Sequence, residues 1–409
     1  MCIRIVTGKG FALMDMYRVS YPEWRTMVDD LVCISHLRWD FVWQRPQHLL
    51  SRLARNYRVF FIEEPVASTK AGQPRLGTFP GKGVSNVTVV RLIQPVREKR
   101  WIGYGDPLTQ PAYTKLLADF LTTQGINDPV LWLYTPMASE FVSAIPHKLL
   151  IFDVMDQLST FKGAPADLVE RDELLAEKAD VVFTGGTSLY RDKRPLNMHT
   201  YLFPSGVETD HFAPASHPSA FERPADLEGI SSPILGYFGV IDERMDLDLL
   251  AQVAERHPDW NIVLVGPVLK IDAANLPQAP NLHYLGIKEY VELPAYLAYF
   301  DVALIPFMLS EATRYLSPTK TLEYLAAHKP IVSTPIKDVI ELYGDVVRVA
   351  HTPDEFMAQV EVALDETEVL NHDKEDRLLS VYTWDNIAQE MHNIIQAQLL
   401  AVSPVQVTV

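Results

Sequence analysis

The sequence has little cysteine, no long apolar run and a deficit of positive charge. Cys2 and Cys33 are the only cysteines among 409 residues, which excludes a disulfide framework and a cysteine-based metal cluster and favours a reducing cytosol. No window holds about 18 consecutive apolar residues, so no membrane-spanning helix is predicted. The formal net charge of −16 argues against a nucleic-acid-binding protein, because phosphate neutralisation needs a basic face.

What is present indicates a globular protein of two domains. Hydrophobic residues make up 48% of the sequence and charged residues 22%, a globular balance. The length exceeds one ordinary core and fits two domains of typical size. The first residues, Met1 to Val6, lack the apolar core of a signal peptide, and residues 1–30 receive no assignment. We expect a cytoplasmic protein, with the inner face of a membrane as the alternative location.

The N-terminal half alternates short apolar strands with helical stretches. This pattern predicts an α/β domain, a parallel sheet with helices on both faces. The predicted strands are 31–35, 58–62, 87–92, 130–134, 149–153, 181–184 and 200–203, and the predicted helices begin at Pro46 and cover 112–123 and 166–178. Ligands of such sheets sit beyond the carboxyl ends of the strands, so the loops that follow the strands hold the candidate site residues.

Candidate acceptor-side residues and candidate catalytic residues lie on those loops. The acceptor-side set is Trp39, Asp40, Gln44, Arg45 and Tyr134. The catalytic set is Asp153 and Asp156, a carboxylate pair at one strand end, and His36, whose ordinary pKa suits proton transfer. Structural roles stay open for all of them: Trp39 and Trp43 covering the sheet edge, Arg45 pairing with Asp40, and an aspartate capping the next turn.

A loop from Gln94 to Tyr104 mixes basic and aromatic side chains. Such a loop could contact an anionic lipid-linked acceptor or a membrane surface, which would make the protein peripherally associated with a membrane. The alternative is an ordinary solvated loop.

Residues 1–206 are therefore predicted to form an N-terminal domain, 207–233 a linker rich in Pro, Ser and Ala, and 234–383 a second doubly wound domain. In the second domain Gly239 ends a strand where a backbone could approach a phosphate, and Arg244 follows in the same loop. Arg244 could instead pair with Glu243 or Asp246. The Asp246-Leu247-Asp248 motif begins a helix and complements its dipole.

The stretch from Ser317 to Tyr324 lies between two buried strands, 301–306 and 330–335. Ser317 is predicted to cap a helix that begins at Pro318, and Lys320 and Glu323 share one face of it. Free backbone N–H groups and the dipole at such a helix start suit a phosphate, with Lys320 adding a charge and Glu323 accepting hydrogen bonds from a ribose. The alternative is an ordinary capped helix with a Lys–Glu surface pair.

This set of residues resembles the GT-B glycosyltransferases of the large group 1 (family 4-like) class. The resemblance rests on Gly239, Arg244, the run from Ser317 to Val332, and Phe203-Pro204-Ser205-Gly206-Val207-Glu208, which is similar to the P-N-G-V-D of that class. The run from Trp39 to His48 resembles a subgroup of bacterial polysaccharide and teichuronic acid glycosyltransferases.

The resemblance implies two Rossmann-like domains facing a cleft, with the acceptor on the first and a nucleoside-diphosphate sugar on the second. It implies that Arg244, Lys320 and the backbone from Ser317 through Pro318 to Thr319 meet the diphosphate, Glu323 the ribose, and the backbone near Gly286 and Ile287 the nucleobase. It also implies no bound metal or cofactor, and a final helix at 384–402 that returns to the N-terminal domain.

The function expected from this resemblance is transfer of a sugar to a hydroxyl of a glycan or glycolipid in bacterial surface or exopolysaccharide synthesis. Two departures matter: Tyr315 stands where many relatives carry a first donor-site glutamate, and Tyr134-Thr135-Pro136 stands where many place a histidine. The alternatives are a sugar-nucleotide epimerase of the same fold and a non-catalytic, donor-binding partner subunit of a transferase.

Overall fold

The computed structural model describes residues 29–96, 102–107, 109–161, 163–365 and 372–402. Within these ranges the chain divides into two compact units. The N-terminal unit contains residues 29–203 and 385–402, and the C-terminal unit contains residues 204–384. The first 28 residues and the basic part of the predicted contact loop, residues 97–101, lie outside the described residues.

The N-terminal unit is built on a mostly parallel sheet of eight strands among the described residues. Its strands are β1 Asp29–Ser35, β2 Tyr57–Ser68, β3 Arg75–Pro80, β4 Val87–Pro95, β5 Val130–Leu133, β6 Leu149–Val154, β7 Val181–Thr184 and β8 Thr200–Leu202. Its helices are α1 Arg45–Leu53, α2 Gln110–Thr123, α3 Leu168–Lys178 and α4 Thr187–Lys193, in addition to the last helix of the chain.

The strand order of this sheet is β3-β4-β2-β1-β5-β6-β7-β8, and β3 alone runs antiparallel to its neighbour. The chain moves outward from β1 through β2 and β4 and then returns to the other side of β1 as β5. That reversal makes a topological switch point between β1 and β5, the place where open parallel sheets bind ligands. The loops that carry Trp39 and Tyr134 begin at these two strands.

Within its described residues, the C-terminal unit has a second sheet, of six parallel strands in the order β11-β10-β9-β12-β13-β14. The helices and strands of this unit follow in chain order: α5 Thr209–Phe212, β9 Ile234–Phe238, α6 Leu247–Arg256, β10 Asn261–Val265, β11 Leu282–Gly286, α7 Leu293–Ala298, β12 Val302–Ile305, α8 Lys320–Ala326, β13 Ile331–Ser333, α9 Lys337–Tyr343, β14 Arg348–Val349, α10 Pro353–Leu364 and α11 His372–Val381. Here the order reverses between β9 and β12.

The segment 207–233, predicted to be a linker, packs as part of the C-terminal unit. It contains helix α5 and short 3₁₀ turns, and the side chains of Val207, Phe212 and Leu227 are buried in the same hydrophobic core as strand β9. Its proline and serine residues therefore mark tight turns over a core rather than an extended connection.

The two ends of the C-terminal unit lie side by side. The backbone N–H of Val207 donates to Tyr382 O at 2.9 Å, and the N–H of Trp384 donates to Val207 O at 3.3 Å. These bonds make a short parallel bridge between Val207 and Thr383. The chain thus enters and leaves this unit at one place.

The last helix, α12, covers Trp384–Val402 and packs on the N-terminal unit from Asp385 onward. Arg52 and Arg55 of the α1 region both donate to Asp385 at 2.9 Å. The hydroxyl of Tyr57 lies 2.9 Å from Nδ1 of His392, two turns further along the same helix face. In the described ranges no helix has both the length and the apolar character needed to cross a membrane.

Candidate functional site

Three glycines at the carboxyl ends of strands β9, β10 and β11 let the loop backbones pack against one another. Gly239 has φ +140°, Gly266 +147° and Gly286 +69°, all in the left-handed region that favours glycine. The N–H of Gly239 donates to Val265 O, and that of Gly266 to Gly286 O, both at 2.8 Å. A Cβ atom on Gly266 would lie 2.7 Å from the carbonyl carbon of Gly239. Side chains are therefore excluded here. The backbones at Gly239, Gly266 and Gly286 form a surface without side chains, the glycine edge, next to the switch point between β9 and β12.

Lys320 of helix α8 reaches across this edge. A Cβ atom on Gly239 would lie 2.8 Å from Nζ of Lys320, so the ammonium group rests directly on the glycine. The same nitrogen lies 5.3 Å from the ring centroid of Tyr237 and 5.7 Å from that of Phe307. The two rings offer cation–π attraction to the ammonium group without neutralising it.

Arg244 is oriented by Asp242 in the loop after β9. Its Nε donates to both carboxylate oxygens, at 3.0 and 3.2 Å, and a terminal nitrogen donates to Oδ2 at 2.7 Å. Asp242 is 2% exposed and also accepts the backbone N–H of Arg244 at 3.0 Å. The alternatives of pairing with Glu243 or Asp246 are wrong, since Asp242 makes the fork-like pair. Asp246 instead caps helix α6 by accepting the N–H of Leu249 at 2.9 Å.

The charges of Lys320, Arg244, Asp242 and Glu323 act on one another. Burial lowers the pKa of Lys320 to about 8, against the opposing effect of Glu323, while Arg244 lowers it further and Asp242 raises it. Burial raises the pKa of Glu323 to about 7, partly offset by Lys320 and reinforced by the negative charge of Glu208. The two cations therefore share one electrostatic neighbourhood, with Glu323 one turn into the helix.

Helix α8 begins later than predicted. Its first residue is Lys320, preceded by Thr319, and no side chain caps it. The N–H of Thr321 donates to Pro318 O at 3.2 Å, so Pro318 belongs to a turn ahead of the helix and Ser317 does not serve as its N-cap. The predicted start at Pro318 is therefore wrong. Ser317 and Thr319 are partly exposed and precede the helix that carries Lys320.

Gly286 ends strand β11, which lies two strands from β9, and Ile287 follows it. Both are exposed, and the side chain of Ile287 is 61% accessible. Gly286 is connected to the Gly239 edge through the Gly266 hydrogen bond. The two residues predicted to contact the nucleobase thus lie at the same carboxyl end of the sheet as Gly239, Lys320 and Arg244.

In the N-terminal unit, Arg45 and Asp153 form a buried ion pair. Nε of Arg45 donates to both carboxylate oxygens of Asp153, at 3.1 and 3.2 Å, and a terminal nitrogen donates to Phe203 O at 2.8 Å. Arg45 is 3% exposed and Asp153 is fully buried. This arrangement contradicts a catalytic base at Asp153, because the guanidinium holds its carboxylate away from solvent. The alternative pairing of Arg45 with Asp40 is wrong as well.

The other candidates of this unit follow strands β1, β5 and β6 at the carboxyl end of the sheet. Tyr134 is buried, and burial together with the charge of Asp153 raises the pKa of its hydroxyl well above the ordinary value. His36 and Asp156 are partly exposed, after β1 and β6 respectively. Asp40 is exposed, so of the nominated carboxylates it and Asp156 remain accessible.

Trp39 and Gln44 support the loop after β1. Trp39 is buried, with its ring 6.2 Å from that of Trp43 and 5.1 Å from that of Phe61 on strand β2, so it packs as part of the core. The backbone N–H of Gln44 donates to Oε1 of Gln47 at 3.1 Å, at the start of helix α1. Both residues shape the loop.

Sequence reasoning missed a polar cluster centred on Glu63. This fully buried carboxylate accepts from the backbone N–H of Trp39 at 2.7 Å and forms ion pairs with Arg38 and Arg91. The neighbouring Glu64 is only partly buried, and burial raises its pKa to about 7, opposed by Arg38. The sequence indicated this cluster only through Glu63-Glu64-Pro65, an acidic pair that directly follows the predicted strand 58–62.

Comparison with known proteins places these findings in context. Residues 232–366 match the family described as glycosyl transferases group 1. A protein of Bacillus subtilis (strain 168) described as a teichuronic acid biosynthesis glycosyltransferase, TuaH, is 31% identical over 137 residues. That alignment covers 32% of this chain and 33% of the relative, so the chain spans about a third of the length of the curated relative.

Solved structures match nearly the whole chain. One, from E. coli, is described as trehalose-6-phosphate bound with UDP-2-fluoro glucose; it covers 90% of this chain and 99% of its own, with a TM-score of 0.62 and 14% identity. An alpha,alpha-trehalose 6-phosphate synthase of Burkholderia multivorans covers 92% of this chain and 100% of its own, with a TM-score of 0.64 and 13% identity. The GT-B fold and the resemblance to group 1 glycosyltransferases that the sequence predicts are therefore confirmed.

Proposed function

We propose that this protein is a glycosyltransferase that moves a sugar from a nucleoside-diphosphate sugar to a hydroxyl of a glycan or glycolipid, in bacterial surface or exopolysaccharide synthesis. The observation that carries the proposal is that the ammonium group of Lys320 lies against Gly239, while Arg244, in the loop that Gly239 begins, acts electrostatically on that ammonium group. The family match of residues 232–366 and the similarity to a teichuronic acid biosynthesis glycosyltransferase support it.

The donor diphosphate would lie against Gly239, between the ammonium of Lys320 and the guanidinium of Arg244. Asp242 orients the arginine, and the rings of Tyr237 and Phe307 flank the lysine, so both cations are held in place before a ligand arrives. Such preorganisation lowers the entropic cost of binding. The backbone of Ser317, Pro318 and Thr319 would border the same phosphates.

The rest of the donor would extend along the rim of the sheet. Glu323 lies one turn beyond Lys320 and would accept hydrogen bonds from the ribose diol. Gly286 and Ile287 would border the nucleobase, since their exposed backbone belongs to the same rim. UDP-sugars are the first donors to test, because a structure of similar fold is described with UDP-2-fluoro glucose.

In the reaction, the bond between the anomeric carbon and the diphosphate oxygen breaks while an acceptor oxygen bonds to that carbon and releases its proton. The departing diphosphate gains negative charge, which Lys320 and Arg244 would stabilise more strongly than they stabilise the bound donor. Two protein cations supply this compensation, so we expect transfer without an added metal ion or a cofactor.

The acceptor is proposed to bind the N-terminal unit near the loops after β1 and β5. Among the nominated side chains, His36 and Asp40 after β1 and Asp156 after β6, the strand that pairs with β5, are at least partly exposed. Asp156 and His36 are the remaining candidates for the base, because Asp153 is held by Arg45. A lipid-linked acceptor would also bring the protein to a membrane surface.

The direct test is transfer and donor hydrolysis by Lys320→Ala, with Lys337→Ala as the matched control. Lys337 is exposed on helix α9 of the same unit, so its loss removes an equal charge away from the glycine edge. We expect kcat/KM for the donor to fall about 100-fold in the first variant and to stay unchanged in the second. Lys320→Ala activity within about threefold of the parent would refute the donor site.

A non-catalytic donor-binding subunit is the second candidate, favoured by Tyr315 in place of a donor-site glutamate. Its ring stacks beside Arg314, with the guanidinium carbon 5.3 Å from the ring centroid. A donor that raises the melting temperature without hydrolysis or transfer, with and without acceptor glycans, would select this function over the transferase.

A further inference from the structure

Three metal-ligating side chains meet at the end of helix α8 that lies opposite Lys320. They are His328, His372 and Glu375, and one ligand atom from each lies within 4.8 Å of the others. Nδ1 of His328 lies 2.7 Å from Oε2 of Glu375, and Nδ1 of His372 lies 3.1 Å from the same oxygen. The two imidazole rings are 4.2 Å apart, centroid to centroid. Three donor groups thus converge on one point.

The backbone fixes these groups from two directions. His328 directly follows helix α8, and its N–H donates to Leu325 O at 2.9 Å. His372 and Glu375 occupy the first turn of helix α11, three residues apart and hence on one face. Glu375 is 3% exposed, whereas the side chain of His372 is 45% exposed. The cluster is therefore anchored at a buried carboxylate and open to solvent on the His372 side.

The donor set has the chemistry of a transition-metal site. Two imidazole nitrogens and one carboxylate oxygen are common ligands of zinc, with bond lengths of about 2.0–2.2 Å and a fourth position left for water. Such bonds put ligand atoms roughly 3.3 Å apart in a tetrahedron, so the distances of 2.7 and 3.1 Å need only small side-chain shifts. The negative charge of Asp376 also acts on His328 and would favour a cation.

We propose that His328, His372 and Glu375 bind one divalent transition-metal ion of the zinc type. The ion ties the end of helix α8 to the start of helix α11 and takes no part in sugar transfer. Its effect is structural: helix α8 carries Lys320 and Glu323 at its other end, so the ion steadies the element on which both side chains depend.

Zinc titration of the full-length protein tests this site. After treatment with EDTA and desalting, calorimetry with ZnCl₂ is expected to give one zinc per chain and a higher melting temperature, because the ion binds only the folded site. Replacing zinc by cobalt(II) is expected to give visible d–d absorption bands from a site with nitrogen and oxygen ligands.

The variants His372→Ala and Glu375→Gln are each expected to weaken zinc binding about tenfold or more. His351→Ala is the matched control, since His351 is exposed elsewhere in the same unit and should leave the affinity unchanged. His372 is itself largely exposed, so its substitution does not threaten folding, and circular dichroism verifies Glu375→Gln.

Less than about one zinc per five chains, or unchanged zinc affinity in the folded His372→Ala variant, would overturn the proposal. In either case the cluster is a hydrogen-bonded His–Glu–His group without an ion. None of these measurements depends on sugar transfer, so the metal site and the proposed function succeed or fail separately.

Discussion

The ammonium group of Lys320 rests on Gly239: a Cβ atom at that glycine would lie 2.8 Å from Nζ. Gly239 also has φ +140°, which side chains rarely adopt. These two constraints explain why a glycine stands at this strand end. They also connect the loop after β9 to helix α8, so that the position of Lys320 depends on the absence of a side chain at residue 239.

Gly239→Ala is therefore expected to displace Lys320 and raise the KM for the donor about tenfold. Gly229→Ala is the matched control, because Gly229 has φ +84° and would meet nothing within 4 Å. Both substitutions carry a backbone cost of about 1–2 kcal/mol, but only the first touches the site. An equal change of KM in the two variants would show that backbone strain, and not the lysine, is responsible.

Donor affinity is expected to have an optimum between about pH 7 and 8. The pKa of Glu323 is raised to about 7 by burial, so below that pH the carboxylate is protonated and loses its capacity to accept from both ribose hydroxyls. The pKa of Lys320 is lowered to about 8 by burial, so above that pH the ammonium charge is lost. Fluorescence or calorimetric titration of a nucleoside diphosphate sugar across this range measures the profile.

Two variants assign the limbs of that profile. Glu323→Gln should flatten the acidic limb, and Lys320→Arg should remove the alkaline limb, because a guanidinium does not deprotonate in this range. Because the Glu323 carboxylate raises the pKa of Lys320, Glu323→Gln should also move the alkaline limb to lower pH. Lys320→Arg keeps the positive charge beside Glu323 and should leave the acidic limb in place. A profile that keeps both limbs in both variants would place the titrating groups elsewhere.

The Arg45–Asp153 pair is expected to be structural. Asp153→Asn leaves the buried Arg45 charge uncompensated and should lower the free energy of unfolding by about 3–5 kcal/mol, measured by urea denaturation. Asp40→Asn, in the exposed loop after β1, should change stability by less than about 0.5 kcal/mol. If Asp153→Asn kept its stability and lost kcat, Asp153 would regain its predicted role as the base.

Glu64→Gln should stabilise the protein at alkaline pH. Burial raises the pKa of Glu64 to about 7 from an ordinary value of 4.5, so the folded state resists ionisation there. The folded state favours the protonated form of Glu64, and the stability that goes with it is fully present below the ordinary pKa of 4.5. That stability is lost as the pH rises through about 7, because Glu64 must then ionise in a buried position. The gain in melting temperature should be absent near pH 4.5 and largest at pH 8; a gain independent of pH would contradict this cause.

The sequence predicted the alternation of strands and helices well because both sheets are mostly parallel and their central strands are buried on both faces. Strands such as β1 and β12 then appear as continuous apolar runs between turn residues. The antiparallel strand β3 was missed because Gly77 and Pro80 weaken its pattern, as they do in edge strands. Helix α9 was missed because its seven residues give little periodicity.

The candidate site also contains residues that a local sequence pattern identifies and partners that it does not identify. Arg244, Lys320 and Glu323 follow from strand ends and helix spacing, which are local properties of the sequence. The partner of Arg45 is 108 residues away, and the partners of Glu63 come from two separate segments, so no local pattern identifies them. The start of helix α8 was misplaced because Pro318 and Thr319 close a turn before it, and a serine–proline pair is compatible with either arrangement.

The backbone bridge between Val207 and Thr383 has a practical consequence. Since residues 204–384 begin and finish at one backbone bridge, they can be regarded as a single insert with both junctions at one location. Exchanging this insert between relatives would require only two neighbouring cuts and would carry every residue of the proposed donor site together. Chimeras made at these junctions would then inherit donor preference from one parent and acceptor preference from the other.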